Sequence, residues 1–169
     1  GLTNHIGLTI AGAVQTEHGW DLGGRYQSAD SAASPIADIN RLPEIYKLAA
    51  PGYIGRASVP VLFDTKTNTI VNNESSEIII QFDQVATHHF AHTTLYPKDT
   101  QTLIDVLITE LADELITPIY RAGFAKDQQT YQSYFEKVFT CLTELDKRLG
   151  ETGSYIAGDN LTLADVHAY

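Results

Sequence analysis

At 169 residues and 18.6 kDa, with 43% hydrophobic residues, the chain can bury a real core and form one or two small domains. Eleven Lys and Arg against 21 Asp and Glu leave a formal charge of −10, which argues against a nucleic-acid phosphate backbone as partner. No apolar run reaches the ~20 residues of a membrane helix, no signal-peptide pattern opens the sequence, and a single Cys excludes an internal disulfide and a Cys-based zinc site. That cysteine usage fits a reducing compartment, expected to be cytoplasmic. Met is absent and the last nine residues read as a helix just beginning, so the sequence is expected to be a piece of a longer chain.

In chain order, residues 6–14 (IGLTIAGAV) predict a buried strand, and the Gly-, Ser-, Ala- and Asp-rich residues 15–40 a long loop. Leu42, Ile45, Tyr46 and Leu48 keep helical spacing, with Pro43 tolerated in the first turn and Pro51-Gly52 as the stop. Residues 58–63 (SVPVLF) and 69–72 (TIVN) read as two strands of a hairpin around DTKTN. Pro60 has no N–H for a ladder and needs an edge, a bulge or a strand start. A helix follows from Asn73, with Ile78, Ile79, Phe82 and Val85 on one face. Three His, a Pro and a Tyr then mark residues 87–99 as a linker, which divides the chain into domains 1–86 and 100–169.

Beyond the linker the pattern is helical only. Leu103, Val106, Leu107, Leu111, Leu115 and Ile119 form one apolar stripe, and Tyr131, Tyr134, Phe135, Val138, Leu142, Leu145 and Leu149 a second, ended by Gly150. A last helix begins near Thr162, where Asp165 three residues on completes a capping-box variant and Leu161 can staple to Val166. The order strand–helix–hairpin–helix, then helices alone, predicts an α/β domain followed by an all-α domain.

Several residues have a chemical reading beside a purely structural one. The helix opened by Asn73-Glu74-Ser75 offers free N–H groups and a positive dipole end, which suit a carboxylate. Ser75 adds a hydroxyl and Glu74 can accept from an ammonium, although plain helix capping also explains the run. Arg56 can grip a carboxylate with two parallel bonds or simply lie in solvent. Trp20, the only Trp, sits beside Gly19 in the long loop, where it can stack on a ligand or fill the core. His88-His89-x-x-His92 reads as solvated linker rather than a metal site, and no metal is expected. Cys141, mid-helix, reads as a small, partly buried hydrophobe.

Residues 53–82, YIGRASVPVLFDTKTNTIVNNESSEIIIQF, resemble the hairpin-and-helix segment of the glutathionyl-hydroquinone reductases, the xi-class, omega-like glutathione transferases. That family carries Gly-Arg-x-x-Val-Pro-Val-Leu-[Trp/Phe]-Asp and then Thr-Ile-Val-x-Asn-Glu-Ser. Tyr120-Arg121-Ala122-Gly123-Phe124-Ala125 is similar to the family's Tyr-Lys-Ala-Gly-Phe-Ala, Gly19-Trp20 to its Gly-Trp, and Leu161-Thr162-x-Ala164-Asp165 to the start of a helix in its helical domain. Where the family has Asn-Asn-Gly before that tyrosine, this chain has Ile116-Thr117-Pro118, and Pro118 is expected to disturb the helix end. His167 stands where the family has an Arg.

The resemblance implies a thioredoxin-like domain that binds glutathione, then an all-helical transferase domain that shapes the second-substrate pocket. It implies a cis bond at Val59-Pro60, glutathione contacts at Trp20, Arg56, Val59, Glu74 and Ser75, and a second-substrate tyrosine at Tyr120. It also implies glutathione as co-substrate, a small aromatic or quinone-derived second substrate, and a homodimer. The family's reaction reduces glutathionyl-hydroquinones through a Cys-Pro cysteine on the first strand–helix unit, expected before Gly1. The alternatives are a glutathione-binding protein without catalysis and a conjugating glutathione transferase.

Overall fold

The computed structural model describes residues 2, 5–12, 15–22, 36 and 39–169. Two compact units are present, Gly1–Phe90 and Ala91–Tyr169. Most of the loop expected over 15–40 lies outside the described residues.

In the first unit, helix α1 (Leu42–Ala49) starts where the Glu44 carboxylate accepts the backbone N–H groups of Asn40 and Arg41, each at 3.0 Å. Pro43 sits in its first turn, where its missing N–H costs nothing. The helix buries Leu42, Ile45 and Tyr46 against Leu22 and Ala57, while Leu48 falls off this face and is 38% exposed. Each such buried aliphatic side chain contributes roughly 1.5–3 kcal/mol.

The hairpin has β1 (Leu62–Asp64) antiparallel to β2 (Thr69–Asn72), with Phe63 opposite Ile70 and a bulge between Leu62 and Phe63. Its turn is held by the Asp64 carboxylate, which accepts the Lys66 N–H at 2.8 Å and is thereby kept below the usual carboxylate range, and by Asn68 at φ 54°. The ladder opens at Leu62 rather than Ser58. Ser58 is instead held by the Tyr46 and Asn73 side chains, and Pro60 lies before the ladder, which resolves the problem of a proline in a strand. The expected Val59-Pro60 cis bond is present.

Helix α2 (Ser75–Phe90) buries Ile78 and Asp83. It runs four residues past the expected linker start, placing His88 and His89 in its last turn with their rings 4.7 Å apart.

The strand expected at 6–14 is absent over residues 6–12. Leu8 is 62% exposed, and the Gly12 N–H donates to Asp21 at 2.8 Å without starting a ladder. β-branched composition supplies propensity, but a strand needs a neighbour to pair with.

The second unit contains α3 (Gln101–Leu111), a π-helical turn (Ala112–Ile116) and α4 (Thr117–Gly123) in one continuous run, then α5 (Gln128–Thr152) and α6 (Leu163–Ala168). Pro118 does not end this run. It is buried at the start of α4, and the wider turn before it relieves the clash a proline makes with an α-helical carbonyl.

The buried face of the run is Ile104, Leu107, Leu111, Leu115 and Pro118. The expected stripe members Leu103, Val106 and Ile119 are 39–50% exposed. On α5 beyond its first turn the half-buried residues are Tyr134, Val138, Cys141, Leu145 and Arg148, spaced alternately four and three apart. Tyr131, Phe135, Leu142 and Leu149 lie beside that face and stay more than a third exposed. The Asp165 carboxylate starts α6 as expected, accepting from the backbone N–H and the hydroxyl of Thr162, both at 2.9 Å, and from the Ile156 N–H at 2.8 Å. Leu161 and Val166 stay 44% and 38% exposed, so the residues sealing the helix start are Leu163 and Ala164.

Candidate functional site

The approach to Val59 is built by two tyrosines. Tyr46 and Tyr53 pack ring on ring, with centroids 5.0 Å apart. The Tyr53 hydroxyl donates to the Arg56 carbonyl at 2.8 Å, and the Tyr46 hydroxyl to the Ser58 carbonyl at 2.9 Å. A Cβ at Gly55 would come within 2.6 Å of the Tyr53 hydroxyl, so a larger residue there would displace the Tyr53 ring. Alternate carbonyls of residues 56–58 are thus fixed from behind, with Ala57 buried between them. The Arg56 side chain is exposed, and Val59 is 43% exposed.

The start of α2 is held separately. Asn72 Oδ1 accepts the Glu74 N–H at 3.0 Å, and Asn72 Nδ2 donates to the Glu77 carboxylate at 2.8 Å. The Glu77 and Ile78 N–H groups return to the Glu74 carbonyl. Glu74 and Ser75 stand exposed at the first turn, at the positive end of a 16-residue helix. Between the two parts lies Asn73, whose Nδ2 donates to Tyr46 Oη at 3.2 Å and to Ser58 Oγ at 3.3 Å. Hydrogen bonds thus tie Ser58, which precedes Val59, to Asn73, which precedes Glu74 and Ser75, while the Arg56 carbonyl is held by a separate bond.

Trp20 is attached at the other end of α1. Its carbonyl accepts the Leu42 N–H at 2.9 Å, and its half-buried ring packs against the core cluster. Gly19 before it has φ +92°, and a Cβ there would lie 2.5 Å from Pro43 Cγ.

In the second unit Tyr120, 63% exposed, lines a groove of about 530 Å³ with Arg121, Phe124, Lys126, Thr130 and Tyr134. Asp127 caps α5 at its edge. Bonds from the Thr130 N–H and hydroxyl, both at 2.8 Å, hold its carboxyl below the usual range.

Cys141 lies in a different groove, of about 890 Å³, between α3 and α5. Burial pushes its thiol up, and Glu114 and Glu110 add to the effect, so it stays protonated and is a poor nucleophile. Among the described residues no group of three or more His, Cys, Asp or Glu is arranged to hold a metal, and no helix is long and apolar enough to cross a membrane.

Residues 108–169 match the family model described as glutathione S-transferase, C-terminal domain. Among curated proteins, glutathione S-transferase omega-like 2 of Schizosaccharomyces pombe is 35% identical, over all of this chain and 55% of that protein. Glutathionyl-hydroquinone reductase YqjG of Escherichia coli is likewise 35% identical, over all of this chain and 51% of that protein. The chain is similar to glutathione transferases along its whole length, and residues 108–169 match their C-terminal domain.

Among solved structures, the glutathione-bound form of YqjG, described as a glutathione transferase homolog, superposes with a TM-score of 0.88. It is 33% identical over 99% of this chain and 54% of that one. The chain spans about half the length of the curated relatives it matches. The fold class is accordingly that of a glutathione transferase, a thioredoxin-like α/β unit followed by a helical unit.

Within this transferase fold, the frame residues Tyr46, Tyr53 and Asn73 escaped sequence reasoning. Tyr46 was visible only as a member of an apolar helix face. Asn73 was visible as the residue before Glu74-Ser75, and an amide there was signal enough to ask what it bonds.

Proposed function

We propose that the chain is the glutathione-holding part of a glutathione-dependent reductase that releases hydroquinones from glutathionyl-hydroquinones. The observation that carries this reading is the frame that ties Ser58, beside Val59, to Asn73 at the start of α2, in a chain 33% identical to a glutathione-bound structure.

In this reading the first N–H groups of α2 and the Ser75 hydroxyl receive the γ-glutamyl carboxylate, and Glu74 accepts from its ammonium. The backbone of Val59 pairs with the cysteinyl residue in the manner of an added strand. Arg56 holds the glycyl carboxylate, and Trp20 presents an edge of its ring. Tyr120 and the aromatic groove around it receive the second substrate.

In this reading the nucleophile is not the mid-helix Cys141 but the Cys-Pro cysteine that the family resemblance implies before Gly1. Its thiolate attacks the glutathione sulfur of the substrate. An S–S bond forms, the carbon–sulfur bond breaks, and the electron pair left on the ring carbon takes up a proton. A second glutathione then attacks the mixed disulfide, giving glutathione disulfide and restoring the thiolate. The same reading places the protein as a homodimer in the reducing cytoplasm, using glutathione as co-substrate and no metal.

The test uses the full-length protein. Glutathione is titrated by calorimetry, and a glutathionyl-hydroquinone is incubated with glutathione while hydroquinone and glutathione disulfide are followed by chromatography. Equimolar release of both is the expected result. Binding without release makes the protein a binding module, and conjugation of an electrophile without release makes it a conjugating transferase.

A further inference from the structure

Three side chains far apart in sequence close a hydrogen-bond circuit beneath the proposed glutathione site. The Tyr46 hydroxyl spends its one proton on the Ser58 carbonyl at 2.9 Å. Its oxygen is then free to accept from Asn73 Nδ2 at 3.2 Å. The second hydrogen of that amide is satisfied by Ser58 Oγ at 3.3 Å, which itself lies 3.4 Å from Tyr46 Oη. Both donors of the amide and the donor of the phenol are thereby used. Tyr46 is only 3% exposed, and its ring is braced by Tyr53. In such poorly hydrated surroundings these bonds are stronger than on the surface, and leaving one unmade is costly.

The circuit's position gives it a role. Ser58 directly precedes Val59, and Asn73 directly precedes Glu74 and Ser75. The ligand-facing groups thus come from two segments whose spacing is set by residues that do not themselves face the ligand. α1 supplies the post, Tyr46, to which both are tied.

We infer that Tyr46, Ser58 and Asn73 are positioning residues that set the distance between the Val59 backbone and the α2 N-terminus, and so set affinity for glutathione. The inference rests on the reading of that site as the glutathione site. Tyr46→Phe keeps the ring and its packing and removes only the hydroxyl. Asn73 then loses one acceptor and the Ser58 carbonyl its donor.

The experiment compares full-length wild type, Tyr46→Phe, Ser58→Ala and the double variant by glutathione calorimetry, steady-state kinetics and thermal unfolding. Glutathione KM and Kd are expected to rise roughly five- to tenfold in Tyr46→Phe and less in Ser58→Ala. The KM of the second substrate and kcat should stay within about twofold. The double variant should lose less than the product of the single effects, because both belong to one circuit.

A fall in Tm with unchanged glutathione Kd in the single variants overturns the inference and leaves the circuit a structural brace. A wild type that binds no glutathione overturns the functional reading and the inference together. Ser58→Ala removes only a half-buried hydroxyl, so a Tyr46→Phe protein that fails to fold leaves the decision to Ser58→Ala.

Discussion

The two regions that carry candidate residues are built in opposite ways. Around residues 53–75, side chains reach back to fix the main chain: two tyrosines hold carbonyls 56 and 58, Asn72 holds the N–H of residue 74, and Asn73 links the two parts. Around Tyr120, helix caps fix the main chain and the side chains themselves form the groove. Recognition through backbone demands that the backbone be immobile, so its supporting groups point inward. Recognition through side chains can be changed by substitution, and there Tyr120 and Phe124 stand 63% and 79% exposed. Under the proposed function, the difference suits a constant co-substrate on one unit and a variable partner on the other.

The largest way to break the first region is at its entrance. Gly19→Ala puts a Cβ at φ +92° and 2.5 Å from the Pro43 ring, so either the loop or the start of α1 must move. A loss of about 3 kcal/mol in urea unfolding is expected. A change below 1 kcal/mol would mean that the loop bearing Trp20 is not seated on α1.

In the second unit the matching weak point is a side chain. Asp165→Ala removes the acceptor for three donors, two of them backbone N–H groups, and should cost about 2 kcal/mol. Asp165→Asn should recover part of this loss, since the amide oxygen still accepts.

Two milder substitutions separate the regions by ligand. Ser75→Ala should weaken glutathione binding by roughly 1–2 kcal/mol, a lost bond to a charged group, and leave the second-substrate KM unchanged. Unchanged affinity in calorimetry would remove Ser75 from the glutathione site. Tyr120→Phe should do the reverse, lowering kcat/KM for the second substrate about fivefold, or 1 kcal/mol, with glutathione Kd intact.

What could be read from the sequence was local. The hairpin, both helices that flank it and the Thr162–Asp165 cap each depend on residues a few positions apart, whereas the cis Val59-Pro60 bond came from the family resemblance. What could not be read depends on partners. Residues 6–12 have strand composition, but among the described residues no ladder forms for them to join. The stripe on α3 is correct at Leu107, Leu111 and Leu115 and off by one at its start, because Leu103 and Ile104 are equally apolar and only the packed neighbours choose between them. Tyr46 and Asn73 lie 27 residues apart, and no periodicity signals a hydrogen bond at that distance. In the candidate site the residues proposed to face the ligand come from motif resemblance, whereas Tyr46 and Asn73, which tie two of their segments together, show only in the fold.

The smallest effect tests whether α6 is packed as tightly in solution as its burial suggests. His167, in the last turn of α6, is half-buried, and its Nε2 is shielded with no partner among the described residues. Burial disfavours the imidazolium and lowers the pKa below the ordinary 6.5. The unfolded chain therefore takes up this proton first as pH falls. The stability that the neutral ring contributes is complete above about pH 6.5 and is lost as pH drops below it toward the folded value. Urea midpoints at pH 7.5, 6.5 and 5.5 should fall more steeply for wild type than for His167→Asn, which cannot titrate. Equal slopes would mean that water reaches the ring and that α6 frays at its end. A shallower slope in the variant would show that the last turn stays closed over the imidazole, so that protonating it has to work against the packing of Leu163 and Ala164, both at 0% exposure one turn earlier.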